Sequence, residues 1–564
     1  MSEIVIDTIN ILKDRINDAI SKAMSENLLP SGEVVNFVVE VPADKSHGNF
    51  STNVAMVCAK NFRMAPIKIA HIIAEHIDLT DTLVAKAEVA APGFINFFLS
   101  EKFFAEVVKD VLEKGYNYGK SNYGNGKKVM VEFVSANPTG PMHMGNARGG
   151  ALGDCLASVL ETAGFNVYRE FYINDAGNQI DKFAMSLDIR YQQIFMGEDY
   201  ISLPEDSYHG EDILDLAKEF AEKYGDKYIS CDEKTRRKAL VDFALPRNIE
   251  KMQNDLKKYR INYDNWFHES DLHKNGEIKN IINLLAEKGL TYESDGALWY
   301  QATAVGLEKD EVLIRKNGTP TYFISDIAYH YNKFVKRNFD ICIDLWGADH
   351  HGHVARVKKT MAVLGIDEKR LDVLLFQLVR LVKDGNVVRM SKRTGKAIQL
   401  ADLLDEVPID SARFLFNMRE ANSQMDFDLD LAKKQDSQNP VYYVQYAHAR
   451  ICSILKSLEK ENIKIRNCSP EELLLLSSDE EKELINHLSK YTSEIIDAAK
   501  YYDPAKITRY VIELATLFHK FYNSHRVKNE NENLMQARIT LCIAVKIVIK
   551  NILTMFKINT PESM

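Results

Sequence analysis

The chain is short of the features that mark several protein classes. Its 564 residues hold seven cysteines: Cys58, Cys155, Cys231, Cys342, Cys452, Cys468 and Cys542. They are scattered, odd in number and never at metal-ligand spacing. That excludes a disulfide scaffold and a cysteine zinc site, and fits reduced thiols in a cytoplasmic protein. There is no excess of positive charge: the formal net charge is −9. Nothing in that total asks for DNA, although a large acidic protein can carry a local basic face. No long apolar run is present. The most apolar late stretch, 541–556, is broken by Lys546 and Lys550 and reads as a core helix, so no membrane partner is expected. The first residues carry Glu3, Asp7, Asp14 and Asp18, acids that argue against a secretory or mitochondrial leader. Fixed-period repeats are also missing. What remains is an ordinary globular composition with length enough for several domains.

One stretch, 127–180, organises the rest. An apolar run with one acid in it, Val129-Met130-Val131-Glu132-Phe133-Val134, reads as a buried strand. The turn-rich Ser135-Ala136-Asn137-Pro138-Thr139-Gly140-Pro141 follows, then His143-Met144-Gly145-Asn146, then a helical pattern over 147–163. Strand, loop and helix N-terminus is where open α/β sheets bind nucleotides. The helix start offers unpaired N–H groups and the positive end of a dipole to phosphate. His143 stands there, and Gly145 leaves room for a base or ribose against the backbone.

Before this stretch, helix patterns at 4–25, 51–60 and 67–76 alternate with strand patterns at 34–41, 84–91 and 94–98, a small α+β unit. After it, 181–290 reads as a charged, mostly helical insertion. Strand-like runs return at 296–300, 311–314, 341–346 and 374–382, and helical periodicity dominates from 402 onward. The run 341–346 ends in Gly347-Ala348-Asp349-His350-His351-Gly352-His353. An acid just past a parallel strand can accept from ribose hydroxyls. Three histidines without a nearby cysteine or further acid do not make a zinc site, and no protein-held metal is expected. A hairpin turning at Asp384-Gly385 delivers the very basic Arg389-Met390-Ser391-Lys392-Arg393-Thr394-Gly395-Lys396. Such a segment is either a solvated surface or a clamp that neutralises a leaving pyrophosphate.

Glu132 interrupts its strand, and a carboxylate buried there needs a cation: an internal Lys or Arg, or a cationic ligand. In the C-terminal block, Tyr442, Tyr446 and Ala449 share a helical face near Arg450. Aromatics at that spacing serve a core or a base-stacking surface, and Phe518-His519-Lys520-Phe521-Tyr522 mixes rings and charge in the same way.

Taken together, His143-Met144-Gly145-Asn146 and Met390-Ser391-Lys392 resemble the two signatures of class I aminoacyl-tRNA synthetases. The runs Ser135 through Pro141, Tyr172-Ile173-Asn174-Asp175-Ala176-Gly177-Asn178-Gln179, Thr321-Tyr322-Phe323-Ile324-Ser325-Asp326-Ile327-Ala328-Tyr329-His330 and Gly347 through His353 look like arginyl-tRNA synthetase of the bacterial type. Two residues depart from the family pattern: Asn146 stands where histidine is usual, and Arg389 where lysine is usual.

The resemblance implies an α/β fold: a Rossmann-type catalytic domain over 122–401, an N-terminal α+β domain over 1–121 that meets tRNA, and an all-α anticodon-binding domain over 402–564. It implies ATP and L-arginine as substrates, Mg²⁺ on the phosphates, tRNA(Arg) as partner, and a monomer. It assigns His143 and Lys392, with Asn146 and Arg389 assisting, to the reacting phosphate. Gly145, Asp349, His350, Met390 and Ser391 fall to ATP. Glu132, Tyr322 and Asp326 fall to the guanidinium, Ser135 and Asn137 to the backbone end of the amino acid, and Tyr442, Tyr446 and Arg450 to tRNA. Two carboxylates and a phenol suit the planar fork of a guanidinium, and lysine would leave some of them unfilled. The rivals are a small-molecule nucleotidyltransferase, which needs no large helical C-terminal domain, and a silent tRNA-binding relative, which has no use for the lysine segment.

Overall fold

The computed structural model describes residues 3–42, 44–388, 398–529 and 531–564. The first unit is a four-stranded antiparallel sheet, in the order Val39–Glu40, Phe50–Thr52, Phe94–Leu99, Val84–Ala90. Helices Glu3–Ser25, Val54–Phe62 and Pro66–His76 pack with it. The alternation over 34–41 leaves only two paired residues. The helical pattern from 51 begins instead as a strand, with Ser51 and Thr52 buried and Ser51 Oγ bonded to Asn96.

The second unit is built on five parallel strands: β1 (Lys128–Glu132), β2 (Asn166–Ile173), β3 (Asn265–His268), β4 (Ile341–Gly347) and β5 (Leu371–Phe376). Their order is β5-β4-β1-β2-β3. The chain leaves β1 to one side for β2 and β3 and returns on the other side for β4. This is a switch point, and a crevice opens there at the carboxyl ends. Helix α1 (Met144–Thr162) crosses from β1 to β2. It lies close because Gly153 has no side chain: a Cβ there would stand 2.2 Å from Cγ of Phe133.

The block over 181–290 is helical as its pattern suggests, through Asn178–Met196, Glu211–Tyr224 and Glu233–Lys258, with its own core around Phe183, Tyr191, Phe220 and Phe243. It also contains β3, four residues at the sheet edge, too short to show a period of two. The run 374–382 is two strands, β5 and β6 (Val379–Lys383), broken at the exposed Leu378. The hairpin turn falls at Asp384 and Gly385, both at positive φ (51° and 71°).

The C-terminal unit is mostly helical and includes α3 (Pro440–Lys460), α4 (Ala505–Ser524) and α5 (Glu532–Met555). The apolar stretch of α5 is core, with Leu541, Val545, Val548, Ile549 and Ile552 fully buried. Among the described residues no helix is long and apolar enough to cross a membrane.

Candidate active site

The carboxyl ends of all five strands feed one region. After β1 the backbone turns sharply: Val134 and Ser135 sit at φ 71° and 42°, the left-handed region, which is strained for a β-branched residue. The turn brings Ser135 Oγ back to donate to Glu132 Oε1 (2.9 Å) and accept from the Tyr172 N–H (3.1 Å). His143 caps α1. Its Nδ1 accepts from the Gly145 N–H (3.1 Å), and Asn146 Oδ1 accepts from the His143 N–H (2.9 Å). This is a reciprocal capping box. An accepting Nδ1 means a neutral ring with its proton on Nε2, and desolvation, which lowers the pKa of His143, acts in the same direction. Gly145 is required by the cap itself: a Cβ there would lie 2.9 Å from His143 Cε1. Asn146 therefore spends its carbonyl on the backbone and keeps only its NH₂ for a ligand.

Glu132 is buried, as its place in an apolar strand suggests, but it is not without a partner. In register across the sheet, Glu132 stands between Glu170 of β2 and Asp344 of β4. The row of acids is met from helix α2 (Tyr322–Tyr331), which continues into a π-helical turn, Asn332–Lys336. That turn aims the fully buried Lys333 at Glu132 Oε2 (2.6 Å) and Asp344 Oδ1 (2.8 Å). Four residues on, Arg337 forks onto Glu170 (2.5 and 3.0 Å). Burial pushes Glu132 up, whereas Lys333 and His330 overcome burial at Asp344 and hold it down to about 2, so Asp344 keeps the firmer charge. Of the two partners the sequence leaves open for Glu132, an internal cation and a cationic ligand, the fold supplies the internal one in Lys333.

Three further acids have no lysine or arginine paired to them among the described residues. Asp326, one turn along α2 from Tyr322, accepts at Oδ2 from His353 Nε2 (2.6 Å). Asp175, just past β2, is held by the Ser270 N–H (2.8 Å), Ser270 Oγ (3.0 Å) and His268 Nδ1 (2.8 Å). Glu269, just past β3, is 3% exposed. Asn174, its amide turned so that the NH₂ faces acceptors, donates to Glu269 Oε2 at 2.7 Å. Burial above all, then Asp326 and Asp175, push the Glu269 carboxyl up to about 7. The Tyr172 hydroxyl is buried beside Glu269 and lies in the field of Glu269, Asp326, Glu132 and Asp175. Tyr322 is 38% exposed and also feels Glu269. Three acids and two phenols thus surround a place with no lysine or arginine paired to those acids among the described residues. Glu269 is hidden in sequence because an acid in a charged block draws no notice, while Asp175 stands in the run Tyr172 through Gln179 with no role assigned to it.

On the other side of β1, Asp349 and His350 follow β4, with side chains 81% and 58% exposed and 3.7 Å apart. The His353 ring stacks on Trp346 (5.6 Å between centroids). Among the described residues no group of three His, Cys, Asp or Glu is placed to hold a metal. Arg389, Met390, Ser391 and Lys392 lie outside the described residues. The chain just after them is tied to the first signature: the Met144 N–H donates to the Ile398 carbonyl (3.0 Å), and Leu400 N–H to Met142 (2.8 Å). Ser135 is half-buried in the turn and Asn137 is exposed beyond it.

In the C-terminal unit the Arg450 guanidinium lies over Tyr446 (5.2 Å) and Tyr522 (4.7 Å) and bonds His519 Nδ1 (3.2 Å). Burial and Arg450 pull His519 down to about 4, so it is neutral. Tyr443, rather than Tyr442, meets His519, and Phe518 and Phe521 are core.

Three family models match. They describe an arginyl tRNA synthetase N-terminal domain (residues 10–99), a class I tRNA synthetase (R) catalytic domain (107–452) and a DALR anticodon-binding domain (444–564). The arginine–tRNA ligase of Caldanaerobacter subterraneus subsp. tengcongensis is 57% identical over 553 residues, covering 98% of both chains. That of Acetivibrio thermocellus is 52% identical over 562 residues, 99% of this chain and all of the other. The fold is shared with the Thermus thermophilus arginyl-tRNA synthetase structure (TM-score 0.72, 21% identity, 99% of this chain and 100% of that one).

Proposed function

The chain belongs to the class I arginyl-tRNA synthetases, ATP-dependent aminoacyl-tRNA ligases, and on that premise we propose how its own residues divide the work. The guanidinium of L-arginine lies among Glu269, Asp326, Tyr322 and Tyr172. Asp175 adds field, and Glu132 acts one step back by holding Ser135. Ser135 and Asn137 take the backbone end of the amino acid. The observation that carries this reading is the acid group at the switch point that no lysine or arginine among the described residues pairs with, its Glu269 carboxyl buried beside the Tyr172 hydroxyl.

ATP lies at the N-terminus of α1, its phosphates facing His143 Nε2–H and the Asn146 NH₂, its adenosine beside Gly145, Asp349 and His350. Met390 and Ser391 complete that side, and Lys392 and Arg389 bear on the phosphates. A carboxylate oxygen of arginine attacks the α-phosphorus, the bond from that phosphorus to the β-bridging oxygen breaks, and pyrophosphate leaves. The carboxylate is nucleophile enough without a base, so the side chains position the groups and stabilise charge. A tRNA(Arg) 2′-hydroxyl then attacks the acyl carbon, and AMP leaves. Mg²⁺ supplies charge neutralisation on the phosphates. The donor set here suits an ion held by phosphate oxygens and water rather than by a protein cage. Tyr442, Tyr446 and Arg450 face tRNA, and the enzyme works as a cytoplasmic monomer without DNA.

Arginine-dependent pyrophosphate exchange with tRNA present tests this. His143→Ala and Lys392→Ala should each lose a factor of about 10² or more. Charging of bulk tRNA with each of the twenty amino acids should give arginine alone. Wild-type rates in both variants would refute the site.

A further inference from the structure

Four of the five fully or nearly buried cations among the described residues sit on carboxylates: Arg236 on Asp188, Lys333 on Glu132 and Asp344, Arg413 on Asp154, and Arg538 on Glu481. The fifth, Arg148, does not. It is fully buried in α1, five residues past His143. Its Nη1 donates to the Gln377 carbonyl (2.6 Å) and its Nη2 to the Glu420 carbonyl (3.0 Å), while its Nε is buried with no partner. Burial is the sole influence on its acidity and pulls the guanidinium down to about 10, so no carboxylate among the described residues compensates it. Residues 389–397, which lie outside them, contain no acid at all.

An isolated buried charge is disfavoured unless something neutralises it, and carbonyl dipoles do so only in part. The carbonyls it holds belong to the chain just past β5, in Gln377, and to the Glu420 turn, so Arg148 also ties α1 to the end of the sheet. Along the helix it stands roughly 7.5 Å behind the cap at a rise of about 1.5 Å per residue. A helical side chain leans toward the N-terminal end of its own helix, and that end of α1 is where phosphates lie in the reading above.

We propose that Arg148 is a built-in counter-charge for the nucleotide polyphosphate: a positioning residue whose buried guanidinium is neutralised only when ATP occupies the α1 N-terminus, so that it selects ATP over less charged adenine ligands. It touches no reacting atom. It acts through its field and through the two carbonyls it holds. The inference rests on the placement of ATP at α1. For a separation on the order of 10 Å, taken only as a scale, and an effective dielectric of about 20, one unit of ligand charge responds by a factor on the order of ten.

The test is equilibrium binding of adenosine, AMP and ATP to the full-length enzyme. The variants are Arg148→Gln, which keeps an amide donor, Arg148→Met, and Arg148→Lys, which keeps the charge. Measured without Mg²⁺, the loss in the neutral variants should grow with ligand charge: within about 3-fold for adenosine, roughly 100-fold for AMP, and larger again, roughly 1000-fold or more, for ATP. Arg148→Lys should recover most of the ATP affinity. KM for arginine should stay within about 2-fold throughout, a split that mere loosening of α1 would not produce. Equal loss for all three ligands, or a lysine variant no better than glutamine, overturns the proposal. If neither neutral variant folds, Arg148→Lys decides: it must keep the wild-type preference for ATP over adenosine, and losing it overturns the proposal. His143→Ala separates the two readings. If it weakens ATP while Arg148→Gln does not, only the counter-charge fails; if neither variant disturbs ATP, the berth itself is misplaced.

Discussion

Two groups of acids meet at the carboxyl ends of the strands and behave oppositely. The inner row, Glu170, Glu132 and Asp344, is met by Lys333 and Arg337 from one helical turn. The outer group, Glu269, Asp326 and Asp175, meets only histidine, hydroxyl and amide groups. The first group is compensated by the fold and holds strands together. The second is left for something that arrives. Burial alone does not mark a binding residue; burial without an internal counter-charge does.

Removing the inner cation should have the largest effect. Lys333→Met strands Glu132 and Asp344 and should destabilise the catalytic unit by about 3–5 kcal/mol, read as a lower urea midpoint and poor recovery of folded protein. A variant as stable as wild type would erase the distinction between the two groups. Asp326→Asn leaves the inner row intact and should cost about 2–4 kcal/mol of arginine binding. Steady-state kinetics should then show KM for arginine raised by roughly 30-fold or more, with KM for ATP nearly unchanged.

Glu269 sharpens the comparison through pH. Its folded pKa, about 7, lies above the ordinary carboxylate value, so the folded state binds the extra proton. That contribution to stability is complete in acid and is lost as pH rises through 7. Glu269→Gln should therefore raise the melting temperature at pH 8 by a few degrees and leave it nearly unchanged at pH 5. In the wild type, KM for arginine should climb as pH falls below 7, and the variant's profile should be flat over that range. Tyr172→Phe, which deletes a buried hydroxyl beside Glu269, should weaken arginine by about 10-fold or less with little change in stability. The smallest effect lies in the cap: Asn146→Ala loses one backbone bond, worth about 1 kcal/mol, and thermal melting should fall by only a few degrees.

The sequence makes some of this legible and hides the rest for physical reasons. The parallel sheet, α1 and the Asp384-Gly385 hairpin follow from hydrophobic period and turn chemistry. Glu132 stands out because a lone acid in Val-Met-Val-Glu-Phe-Val contradicts its surroundings. Its partner does not stand out: Lys333 reaches it through a π-helical turn that a 3.6-residue pattern does not announce. Glu269 is silent for the opposite reason, being one acid in a block full of them, beside a strand of four residues. Asn146 is visible as a departure, but its role in fixing His143 is set by a hydrogen bond that appears only when the cap is built.

The central claim is that the substrate cation is met by the outer acids, with Glu269 giving up a proton to receive it. Titration calorimetry of arginine into the full-length enzyme, repeated in buffers of different ionisation enthalpy, counts that proton. Release should be close to one per arginine at about pH 6, fall toward zero by about pH 8, and vanish in Glu269→Gln. Binding with no proton released at either pH, or with the same release in wild type and variant, would contradict the account.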